Sequence, residues 1–160
     1  RFIPKTEAVP AASLEFWANY VDELETRKAA IFDYLTGAKD RHSANFLVDQ
    51  ERRKIWLIDH DYYMFLGADP GMSPVSLIVD RARRLADQDL PGELVSAVSG
   101  LIDRMDAMID NAQQEQRPSE ERGSTEASRP NVIKLWLAEI KKRAETLVKE
   151  RKIPIKVSQI

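Results

Sequence analysis

Leu14, Trp17, Val21, Leu24, Ile31 and Leu35 recur at the three- and four-residue spacing of a helix face. Ser13 stands before them as an N-cap, and Gly37 follows where the left-handed residue that ends a helix belongs. The pattern predicts one long helix closing just before Asp40. Two short apolar runs come next, Phe46 to Val48 and Ile55 to Ile58, divided by the polar stretch Asp49 to Lys54, and they read as a β-hairpin. Beyond a loop with Gly67, Pro70, Gly71 and Pro74, the positions Val75, Ile78, Val79, Ala82 and Leu85 mark a short helix opening at Ser73 and Pro74. Pro91 and Gly92 introduce a third helix, whose stripe of Leu94, Val95, Val98, Leu101, Ile102, Met105 and Ile109 is the most regular period in the chain.

Large apolar residues then disappear from Gln113 to Arg129, a composition that cannot repay the entropy of ordering and predicts a linker. Pro130 opens a last helix with Ile133, Trp136, Leu137, Ile140, Ala144 and Leu147 on one side. The expected organisation is a helical lobe over 1–112, a linker over 113–129, and over 130–160 a basic amphipathic helix and tail that dock on the lobe. The fold class is mainly α with one small hairpin. Trp17, Trp56 and Trp136 fall on apolar faces and are expected in the core.

Length and charge narrow the field without naming a partner. The 160 residues suffice for one domain burying about two thirds of its unfolded surface. With 24 basic and 26 acidic side chains the balance is nearly neutral, which gives no whole-chain signal for nucleic acid. The charge is uneven, however: residues 130–160 hold eight Lys or Arg against three Glu, leaving that segment about +5 and the remainder about −7. Such a helix suits peripheral contact with an anionic membrane or a nucleic-acid backbone, or a plain docked face with wet charges, the last being the expectation. No apolar run reaches the roughly 18 residues that cross a bilayer, and no secretory signal is visible. The absence of cysteine excludes disulfides and thiolate metal sites and fits a cytoplasmic location.

The chemistry concentrates between the first helix and the end of the hairpin. Phosphoryl transfer asks little covalent work of a protein: a group to receive the hydroxyl proton, and side-chain oxygens to hold the magnesium that shields the phosphates. An Asp followed five residues later by an Asn, then a hairpin leading to a second Asp, supplies both functions in kinases. Asp40, Asn45 and Asp59, the last closing Ile-Trp-Leu-Ile-Asp-His, have this spacing. Taken singly they would be a turn Asp, a loop Asn and a strand-end Asp that bond the backbone.

Gly37-Ala-Lys-Asp-Arg-His-Ser-Ala-Asn45 resembles the catalytic loop of the phosphatidylinositol 3- and 4-kinase superfamily and of HipA-like protein kinases, with their shared Asp-Arg-His-x-x-Asn. The likeness covers Ile31 to Phe65 and leans toward the HipA-like branch. It implies a protein-kinase-like C-terminal lobe using Mg²⁺ and ATP. Asp40 is then the catalytic base, Asn45 and Asp59 are the magnesium and nucleotide-binding residues, and Arg41 and His42 hold the loop and the transferring phosphate. The acceptor implied is a protein Ser/Thr hydroxyl or an inositol lipid.

The sequence also departs from that pattern. His60 and Asp61 follow Asp59 where lipid kinases carry Phe-Gly, and Ala38 is smaller than the usual aliphatic residue. His60 reads as a packing residue and Asp61 as a solvated acid. The six glycines are scattered, with no Gly-rich phosphate loop and no strand bearing the ATP-pairing lysine. The nucleotide lobe is therefore expected upstream or on a partner chain, and the rival expectation is a non-catalytic lobe serving as a binding or regulatory module. A small-molecule phosphotransferase is a third reading, disfavoured because its loop normally begins His-Gly-Asp.

Overall fold

A computed structural model describes residues 6–8, 19–59, 76–85, 89–114 and 132–154. The elements are β1 (Thr6–Ala8), α1 (Glu23–Thr36), a 3₁₀ turn (Ser43–Asn45), β2 (Phe46–Asp49), β3 (Lys54–Leu57), α2 (Leu77–Ala82), α3 (Gly92–Gln114) and α4 (Val132–Glu150). The fold is mainly helical with a small antiparallel sheet in the order β1-β2-β3. Among the described residues no helix is long and apolar enough to cross a membrane.

The predicted hairpin is present, with Phe46 opposite Leu57 and Val48 opposite Ile55. It is not the whole sheet, because β1 adds a third strand with Thr6 opposite Asp49. At three residues β1 is too short to leave a period-2 signature. Phe46 and Val48 are fully buried, each such side chain contributing roughly 1.5–3 kcal/mol. Trp56 is a correction. It alternates with half-buried Ile55 and Leu57 on β3, faces away from the core and is 42% exposed. Trp136 is half-buried against the core, and Trp17 lies outside the described residues.

The long first helix is also corrected. Asn19 and Tyr20 are helical, but Asp22 is extended (φ −70°, ψ 141°) and α1 starts afresh at Glu23. The interruption serves the hairpin. Asp22 N–H donates to the Arg53 carbonyl at 3.1 Å, and Arg53 Nε meets the Asp22 carboxylate at 3.0 Å. At its other end α1 stops at Gly37, which takes the expected left-handed conformation (φ 70°, ψ 40°). α1 is buried over much of its surface because it touches β3, α2 and α4.

α2 is capped by Ser76, whose Oγ accepts from Val79 N–H at 3.1 Å; the predicted opening at Ser73 and Pro74 lies outside the described residues. α3 buries Leu94, Val98 and Met105, half-buries Val95, Leu101, Ile102 and Ile109, and runs to Gln114, so its end overlaps the start of the expected linker. The rest of that linker lies outside the described residues. α4 packs along α3 and onto α1, burying Leu137, Ile140, Ala144 and Leu147. Ile133, one turn before Leu137, was expected on that stripe and is instead 58% exposed.

Asp49 closes the β2–β3 turn by accepting from Arg52 N–H at 3.0 Å and from Arg52 Nη1 at 2.9 Å. The side-chain bond from Arg52, helped by the backbone bond, holds the Asp49 carboxyl below its ordinary value of 3.8. A group lowered on folding stabilises above its unfolded pKa, and that contribution is lost as the pH falls through the lower folded value. Arg52→Ala should therefore raise the Asp49 pKa and move this acid-side loss to higher pH. An NMR titration of the Asp49 carboxyl checks it, and an unmoved titration would remove Arg52 as the cause.

Candidate phosphotransfer site

The loop between α1 and β2 is organised from inside by Arg41, only 2% exposed. One edge of its guanidinium meets the Asp33 carboxylate, Nε lying 3.1 Å from Oδ2 and Nη2 3.3 Å from Oδ1. Nη1 donates to the carbonyls of Ile58, at 2.7 Å, and of Asn45. A planar fork of five donors can serve a carboxylate and two carbonyls at once, which an ammonium on a flexible stem cannot do with one fixed geometry. Leu77 N–H donates to the Arg41 carbonyl at 3.0 Å, so the start of α2 is also fastened to the loop.

Asp40 is left pointing outward, its side chain 47% exposed. Its carbonyl accepts from Asn45 Nδ2 at 2.7 Å. That bond fixes the amide of Asn45 and turns the other end, Oδ1, away from the Asp40 carbonyl. Asn45 itself is 7% exposed at the entry to β2. Its carbonyl accepts from Ile58 N–H at 3.2 Å, extending the ladder by one pair beyond Phe46 and Leu57. Asp59 therefore follows directly on a backbone partner of Asn45. It is exposed and left-handed (φ 54°), a conformation that Asp tolerates better than most residues and that turns the chain out of the strand.

His42 caps the 3₁₀ turn, its Nδ1 accepting from Ala44 N–H at 3.2 Å. A neutral ring bonded in this way carries its proton on Nε2, which lies 3.7 Å from Asp40 Oδ1, just beyond hydrogen-bond length. The base candidate and the imidazole are thus neighbours on the open side of the loop. Arg41 is not: its guanidinium is engaged by Asp33 and two carbonyls inside the protein. His60 and Asp61 lie outside the described residues.

Two participants were missed in the sequence. Asp33 is fully buried on the last turn of α1, and Ser76, 3% exposed, donates from Oγ to Asp33 Oδ2 at 2.7 Å. A buried acid is nearly always paired, so an Asp three residues after Ala30 and two before Leu35 was a usable signal only once α1 was known to be enclosed on that side.

The donor set is small. Among the described residues no group of three or more His, Cys, Asp or Glu could hold a metal ion. Magnesium beside a nucleotide takes one or two protein oxygens, with phosphates and water completing its octahedron. Comparisons of the chain with protein-family models, with curated proteins and with solved structures find no match.

Proposed function

We propose that the chain is the helical, catalytic-loop lobe of an ATP- and Mg²⁺-dependent phosphotransferase acting on a hydroxyl, with a protein Ser/Thr or a lipid as acceptor class. The observation that carries this reading is the joining of Asn45 to the exit of the hairpin. Asn45 Nδ2 is tied to the Asp40 carbonyl while the Asn45 carbonyl is tied to Ile58, and so three side chains at kinase spacing issue from one hydrogen-bonded junction. Asn45 Oδ1 and the Asp59 carboxylate would hold Mg²⁺, which when bound neutralises the phosphate charge.

Asp40, exposed on the open side of the loop, would take the proton of the acceptor hydroxyl. As that oxygen bonds to the γ-phosphorus of ATP, the bond from phosphorus to the bridging oxygen breaks and ADP departs. His42, with its Nε2 toward Asp40, orients that carboxylate. The phosphate-cradling elements belong to an upstream segment or a partner chain in this reading.

Substoichiometric Mn²⁺ with ATP, followed in ¹H–¹⁵N spectra, tests the junction. Broadening is expected first at the amides of Asn45 and Asp59, and Asp59→Ala should abolish that selectivity. Broadening spread evenly over surface carboxylates would leave the regulatory-module reading in its place.

A further inference from the structure

We infer that Asp33 is a positioning residue for this site, acting through the Arg41 guanidinium on the two carbonyls that flank the proposed magnesium ligands; the inference rests on the phosphotransfer reading. The side chain is completely buried and never meets substrate. It receives the guanidinium edge of Arg41 and the hydroxyl of Ser76. With that edge fixed, the direction of Nη1 is fixed as well, and Nη1 is the atom that holds the carbonyls of Asn45 and Ile58. One of these belongs to a proposed ligand and the other directly precedes the second. The carboxylate on α1 therefore sets the relative placement of the loop end and the strand exit.

Stability alone does not account for the arrangement. Removing two charges from water costs about as much as their attraction returns, and apolar side chains of similar volume serve a core as well or better. What an apolar pair cannot do is hold two carbonyls from separate segments at a fixed spacing. Ser76 gives the same carboxylate a third tether and, through its cap on Val79 N–H, connects it to α2. Partners one shell behind a metal site typically change affinity or activity 10- to 100-fold when removed.

The decisive variant is the double substitution Asp33→Leu with Arg41→Met, measured by thermal melting of the chain and by Mg²⁺-dependent ATP turnover of the chain together with its nucleotide-binding lobe. The expected result is a melting temperature close to that of the parent, a kcat lowered roughly 10- to 100-fold, and a KM for ATP changed far less. Parent-like kcat in the folded double variant overturns the inference. Should that variant not fold, Ser76→Ala removes one tether with little volume change. Its ¹H–¹⁵N spectrum should show shifts at Asn45, Ile58 and Asp59, and shifts confined to the start of α2 overturn the inference equally. These spectra need no turnover: a parent that turns over no ATP even with its nucleotide-binding lobe supplied sinks the phosphotransfer reading, while the spectra still decide whether Asp33 positions the junction.

Discussion

Asp40→Asn is expected to lower phosphotransfer by about 10²- to 10⁴-fold, the range lost when a positioned proton acceptor is removed. The amide matches the carboxylate in shape but cannot take the hydroxyl proton at neutral pH. The fold should be unaffected. The Asp40 side chain is about half exposed, the exposed His42 ring lies 3.7 Å from it, and its contribution to the loop is made by its backbone carbonyl, which the substitution keeps. Mg²⁺-dependent ATP turnover with the nucleotide-binding lobe supplied, together with a thermal melt, separates the two effects. A folded variant turning over at the parent rate removes Asp40 from the mechanism, and a variant that unfolds at markedly lower temperature shows a structural role in its place.

Arg41→Ala should have the opposite signature, a loss of stability of about 3–5 kcal/mol. The reason is asymmetric. Truncation leaves the Asp33 carboxylate, itself inaccessible, without its guanidinium, and at the same time deprives the carbonyls of Asn45 and Ile58 of a charged donor. An uncompensated buried charge costs far more than the pair contributed, and natural domains have only about 5–15 kcal/mol in hand. Denaturant unfolding measures it. A change under about 1 kcal/mol would mean that water reaches Asp33 and that the loop is held some other way. Arg41→Lys should recover only part of the loss, since one ammonium cannot meet a carboxylate edge and two carbonyls together.

The parts of this protein legible in the sequence are those governed by local periodicity and turn chemistry. The α3 stripe, the stop at Gly37 and the two strands of the hairpin follow from spacing that each segment imposes on itself. The positions of Asp40 and Asn45 in the loop and of Asp59 at the hairpin exit follow from loop and strand lengths in the same way. What escaped was decided by distant partners. The break at Asp22 exists because Arg53, across the hairpin turn, offers a carbonyl and a guanidinium that compete with helix continuation. Trp56 reads as core in the sequence because an aromatic in a strand carries no mark of which face is inward when the run is only four residues long. Asp33 and Ser76 meet through a single 2.7 Å bond between an α1 side chain and the α2 cap, a contact no one-dimensional pattern can express.

The end of α1 is held by α4 as well. Arg143, 8% exposed, donates from Nη1 to the Tyr34 carbonyl at 2.9 Å and lies over the Tyr34 ring, 5.9 Å from its centroid. A Cβ added at Gly37 would come within 2.9 Å of that same nitrogen, on a backbone already in the left-handed region. Positions 37 and 143 thus compete for one small volume just upstream of the loop. In any diverging lineage that keeps this fold the two sites form a coupled pair: a side chain gained at the first must be matched by a shorter or redirected one at the second, so substitutions there should accumulate together and not independently.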